Sequence, residues 1–166
     1  MNTKPCIFCI VILLTSLNSS AQWQKLDAPT SYVSDIAGSG SKVYVVNVDT
    51  STTEILYSGD NGDNWTVLNM GAPNSFVESI EVNGDHIFVG TWSGFYISYD
   101  NGITWNVLDS LGGVSYVDSN KVFLVGPDSI FLSVDSGATW TVVNSGIPDG
   151  LDVSSLAVMD NILFAG

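Results

Sequence analysis

Three observations predict an all-β chain, a β-propeller of four-stranded antiparallel blades. One eight-residue pattern, Ser-x-Asp-x-Gly-x-Thr-Trp, is written three times, at Ser58 to Trp65, Ser98 to Trp105 and Ser133 to Trp140. Its aspartates, Asp60, Asp100 and Asp135, lie 40 and 35 residues apart. Between copies stand only short β-prone runs bounded by Gly, Asn or Asp, with no room for a helix. A period of that length, carrying a turn signal between strands, corresponds to one blade per repeat.

The first 21 residues are set apart from the fold. Lys4 supplies a positive start, Ile7 to Leu14 is mostly apolar, and Ser19-Ser20-Ala21 offers small residues for cleavage after Ala21. That is the pattern of a secretory signal peptide. The apolar run stops at Thr15, short of the ~20 residues of a membrane-crossing helix, so no span is expected after signal removal. Cys6 and Cys9 leave with the leader, and no cysteine lies near the cleavage point to carry a lipid. Residues 22–166 then form a cysteine-free domain, secreted or held at the cell surface, that relies on its core alone.

Trp23-Gln24-Lys25-Leu26 repeats the run that follows each later tryptophan, without earlier strands ahead of it. Trp23 to Asp27 is therefore expected to be a closing strand that completes the final blade. In the clearest unit, Ser79 to Val82, His86 to Thr91, Phe95 to Ser98 and Thr104 to Leu108 are four strands of a meander. Second strands align at Val43 to Val46, Ile87 to Gly90, Val122 to Val125 and Ile162 to Ala165. Third strands align at Glu54 to Tyr57, Phe95 to Ile97 and Ser129 to Leu132. These inner runs are almost continuously apolar, as strands covered on both faces must be. Fourth strands are expected to start at Trp65, Trp105 and Trp140. The last unit offers strands at Val153 to Val158 and Ile162 to Gly166 and then stops, so about three and a half blades are visible and the chain reads as the front part of a longer ring.

Each patterned loop joins a third to a fourth strand. Asp60, Asp100 and Asp135 are expected to accept backbone N–H bonds about two residues on. Gly62, Gly102 and Gly137 allow a positive φ. Ser58, Ser98, Ser133, Thr104 and Thr139 add hydroxyl bonds, and Trp65, Trp105 and Trp140 anchor the loop on the blade. Asn64 stands where the other copies carry Thr and is expected to weaken the first loop slightly. All of these residues are assigned a structural role and none a catalytic one.

The repeated loop resembles the Asp-box, or BNR repeat, of sialidases, the sortilin family and secreted bacterial propellers. The resemblance covers essentially all of residues 22–166. It implies that the box is a folding element at the blade periphery, remote from any ligand. The leader ending in Ala-Gln, together with such repeats, is similar to exported proteins of Bacteroidetes-type bacteria, in which a C-terminal sorting domain often follows.

Charge and composition limit the chemistry. Four Lys and no Arg face 17 Asp and Glu, a net −13, which repels nucleic acid and anionic lipid. A sialidase-like site would require an arginine triad for the substrate carboxylate, and lysine does not reproduce that geometry. A xyloglucanase-like glycoside hydrolase needs two carboxylates across the scissile bond. Asp35, Asp49, Glu54, Glu78, Glu81, Asp85, Asp118, Asp128 and Asp152 are available, but no motif singles one out.

The leading expectation is therefore a non-catalytic scaffold that binds protein or polysaccharide through its ring face and loops. The alternative is a hydrolase whose catalytic residues lie mostly beyond residue 166. Trp92, in the turn after a second strand and outside the repeated loop, is the candidate ligand-binding residue, but core packing is the favoured role for it. No cofactor and no metal site are expected, with Ca²⁺ as the one alternative kept open. His86 is alone, and Asp60-Asn61-Gly62-Asp63 has the composition of a Ca²⁺ loop without the ligand spacing of an EF-hand. Asn64-Trp65-Thr66 matches a glycosylation acceptor that would matter only in a eukaryotic secretory route.

Overall fold

The computed structural model describes residues 10–12, 23–25, 32–48, 53–71, 76–108, 113, 115–126, 129–146, 153–159 and 162–166. The expected cleavage point at Ala21 lies outside these, as do Asp49, Asp128, Asp152 and the end of the Trp23 to Asp27 run. Every described element is a β-strand.

Three four-stranded antiparallel sheets follow one another. The first holds β3 (Val33–Ser39), β4 (Lys42–Val48), β5 (Thr53–Ser58) and β6 (Thr66–Leu68) in that order. The second holds β7 (Val77–Asn83), β8 (His86–Thr91), β9 (Gly94–Ser98) and β10 (Asn106–Leu108). The third holds β11 (Ser115–Asp118), β12 (Lys121–Val125), β13 (Ile130–Ser133) and β14 (Thr141–Val142). A hairpin of β15 (Leu156–Met159) and β16 (Ile162–Ala165) begins a fourth. The first strands β3, β7, β11 and β15 neighbour one another in succession, which puts them on the inner side of a ring sector.

Each fourth strand begins one residue after its tryptophan, because the indole belongs to the loop rather than the ladder. The first two blades share a bulge near the start of the inner strand, between Val33 and Asp35 and between Val77 and Ser79. It leaves Ser34 and Glu78 outside the ladder.

Side-chain alternation explains the apolar runs. Tyr44, Val46 and Ile55 of the first blade pack with Val77, Ile80, Ile87, Val89 and Tyr96 of the second. Phe88, Phe95 and Ile97 then pack with Val122 and Leu124 of the third. On the other side of the first sheet, Val43, Val45 and Leu56 form a further cluster with Val33 and Trp65. A second strand thus buries both its faces, one against each neighbouring layer.

Trp23–Lys25 does form a strand, β2, as expected, but it pairs antiparallel with β1 (Ile10–Ile12), which lies within the expected leader, and not with β15 or β16 as the expected closing strand would.

Candidate functional site

The three patterned loops fold alike. In the second, the Ser98 hydroxyl donates to Asp100 Oδ1 (2.8 Å) and accepts from the Gly102 N–H (2.7 Å). Asp100 accepts from the N–H and the hydroxyl of Thr104, at 2.8 and 2.6 Å, four residues on rather than two. The Trp105 indole N–H donates to the Gly102 carbonyl at 3.1 Å. Ser133, Asp135, Gly137, Thr139 and Trp140 repeat these bonds, and so do Ser58, Asp60, Gly62 and Trp65.

Asn64 keeps the side-chain contact of the threonine it stands in for. Its amide donates to Asp60 Oδ2 at 2.7 Å, replacing the threonine hydroxyl, while its backbone N–H keeps the bond to Oδ1. Hydrogen bonds from residue 64 are the largest cause holding the Asp60 carboxyl down at about 2. Those from Thr139 hold Asp135 at about 2, and those from Thr104 lower Asp100.

Two successive residues of each loop have positive φ, Asn61-Gly62 (60° and 96°), Asn101-Gly102 (59° and 87°) and Ser136-Gly137 (57° and 90°). This is the geometry of a type I′ turn. Gly102 is constrained further. A Cβ there would stand 2.7 Å from Leu68 Cδ1 of the preceding blade, so the loop also seats on its neighbour. Trp105 and Trp140 wedge into the same inter-blade clusters. The Asn61, Asn101 and Ser136 N–H groups donate to the carbonyls of Ser41, Asp85 and Asn120, tying each loop to the turn between the first two strands of its own blade. Each aspartate is thus consumed inside its own loop.

The inner strands carry contacts that the sequence did not single out. Asp35 Oδ2 accepts the Ile80 N–H of the next blade at 2.9 Å, and Ser79 Oγ accepts the Ser115 N–H of the blade after at 3.1 Å. These side chains satisfy an inner edge that has no further strand to pair with. Close to them, Glu81 is half-buried, and burial, with the nearby Asp35 carboxylate, pushes its carboxyl up to about 7. Lys42 reaches across the blades to Asp85 and to Asn101 Oδ1 (2.7 Å), and the Asp85 carboxyl is lowered by that lysine first. Lys42, His86 and Lys121 each open a second strand. The His86 ring meets Tyr99 edge-on at 5.1 Å.

Trp92 is not a core residue. It is 73% exposed in the turn between β8 and β9, with Phe76, itself 51% exposed, at 5.0 Å between ring centroids. This turn lies at the end of the blade opposite the patterned loops, since β8 runs away from them. No group of three or more His, Cys, Asp or Glu among the described residues could hold a metal ion. No described helix is long and apolar enough to cross a membrane.

No protein-family model and no curated protein matches the chain. Solved structures do. YCF48 bound to D1 peptide superposes with a TM-score of 0.56 at 18% identity, over 80% of this chain and 46% of that one. The chain has the fold of part of a β-propeller. The GH74 xyloglucanase from Xanthomonas campestris gives 0.60 at 16%, over 81% of this chain and 27% of that one. PorZ, a bacterial surface component of the type-IX secretion system of Porphyromonas gingivalis, gives 0.60 at 17%, over 86% and 19%. The chain therefore spans less than half the length of each of these propellers, and at such identities the likeness is one of fold.

Proposed function

We propose that this chain is an exported, non-catalytic scaffold of the Asp-box type that binds protein or polysaccharide through the ring face and loops of its blades, with Trp92 on the binding surface. The observation that carries this reading is the division of labour along the second blade. At one end Asp100 is saturated by its own loop, and at the other Trp92 and Phe76 stand exposed together. Likeness to YCF48 bound to a peptide and to a bacterial surface component supports a protein partner and an exported location. The acidic balance argues against nucleic acid.

A second reading, a glycoside hydrolase completed by residues beyond 166, is favoured by one observation. Glu81 with its raised pKa lies near Asp35 on the inner strands, and the fold is shared with a GH74 xyloglucanase. Incubating the full-length protein with xyloglucan, other β-glucans and sialosides, beside a glycan array and a pull-down from the cell envelope, separates the two. Retention of a specific protein or glycan without cleavage is expected. Turnover abolished by Glu81→Gln would replace the scaffold reading.

A further inference from the structure

We infer that the Phe76–Trp92 pair and Glu78 form a docking patch for a lysine- or arginine-bearing segment of a partner polypeptide. The inference rests on the scaffold reading and names the chemistry of its partner. The exposure is not a consequence of an unfinished ring. Met159, Ile162 and Phe164 are also exposed, but they sit on the last hairpin, whereas Phe76 and Trp92 belong to a blade with a neighbour on each side. Two large aromatic rings exposed side by side make a contiguous apolar surface, the kind that marks interaction sites when it is extensive.

The pair is held ready. The Trp92 N–H donates to the Phe76 carbonyl at 3.2 Å, and the rings tilt 40° to one another. Beneath them, fully buried Thr91 donates from Oγ1 to the Gly94 carbonyl (2.8 Å) and accepts the Ser93 N–H (3.2 Å), which fixes the turn. The backbone that carries the two rings is thus set before a partner arrives.

Charge selects the partner. Glu78 occupies the bulge next to the Val77–Thr91 pair, exposed, on the side of Gly113 of the third blade. The chain carries a net −13, and Lys42 is already engaged by Asp85 and Asn101. An indole face on so acidic a chain, with Glu78 two residues along from Phe76, suits an ammonium or guanidinium, which gains a cation–π contact and an opposite charge together. A neutral sugar ring would gain nothing from the net negative charge of the chain.

The test uses the full chain and three probes: a short Arg/Lys peptide, the same peptide with citrulline and acetyl-lysine in those places, and a xyloglucan oligosaccharide. Binding of the cationic peptide is expected, weakened about tenfold by Trp92→Ala and about threefold by Glu78→Gln, and reduced by 0.5 M NaCl. Thermal melts of both variants should match the parent, since both side chains are exposed. Equal binding of the neutral peptide, or no effect of either substitution, would overturn the inference. Oligosaccharide binding lost in Trp92→Ala and indifferent to Glu78→Gln would overturn it while leaving the scaffold reading intact. Cleavage of the oligosaccharide would remove both.

Discussion

Gly90→Ala should be among the most damaging single-methyl substitutions in this chain. A Cβ at Gly90 would stand 1.7 Å from the Gly113 carbonyl oxygen and 2.8 Å from Ser79 Oγ. The backbone entering β11 must then retreat by about 1.5 Å to reach ordinary contact. That retreat breaks the seam between the second and third blades. There Ser79 Oγ meets the Gly113 carbonyl at 3.2 Å and the Ser115 N–H and hydroxyl at 3.1 Å each. Overpacking a tight site costs about 1–3 kcal/mol, and a buried N–H left without its acceptor costs about 1–3 kcal/mol more. A loss of about 3 kcal/mol corresponds to a Tm lower by roughly 10 °C for a domain of this size. Urea and thermal melts followed by tryptophan fluorescence read it directly. Ser79→Ala, which removes the bonds without adding bulk, should lose about 1–2 kcal/mol. A Gly90→Ala protein melting within 2 °C of the parent would refute the crossing of these two blades at Gly113.

The loops and the inner acid make further predictions. Ser136 has a φ of 57° where the other copies carry Asn, so Ser136→Asn should raise stability by about 0.5 kcal/mol in a denaturant melt and Ser136→Val should lower it. Asp60 and Asp135 are held at about 2, and Asp100 is lowered. Their contribution is therefore complete above the unfolded value near 3.9 and is lost as pH falls toward 2. Replacing all three by Asn should flatten the acid limb of the pH–stability curve between about pH 4 and 2. Glu81 acts with the opposite sign. Its folded value of about 7 exceeds the unfolded one near 4.3, so ionising it costs stability as pH rises across that interval. Glu81→Gln should remove this slope and make the protein relatively more stable at pH 8, and an unchanged slope would show that Glu81 is solvated.

What could be read from the sequence was what repeats. Asp100, Gly102, Thr104 and Trp105 recur in register, and a spaced turn signal between apolar runs specifies strands and blades together. Features that depend on two blades meeting were not legible. Asp35 and Ser79 do the same task with different side chains, so no motif joins them. Phe76 becomes notable only when the antiparallel register sets it beside Trp92, sixteen residues on. That Asn64 would supply the same contact as threonine was not legible, because the pattern recorded a change of residue type while the geometry required only a donor at that distance. Trp92 was assigned to the core ahead of the surface, wrongly, because a turn residue's direction depends on backbone geometry that composition does not encode. The fate of Trp23–Lys25 depended on which edge lay within reach, which is a tertiary question.

The most direct measurement is a carbon-detected NMR titration of the Asp60, Asp100 and Asp135 carboxyl groups in the full-length protein. Three independent transitions, all below the ordinary aspartate value and unmoved by added Ca²⁺ or by a bound partner, are expected of carboxylates each locked in its own hairpin loop. A coupled titration with one of the three raised above that value would mean that they share a site, and the assignment of these loops as local clasps would fall.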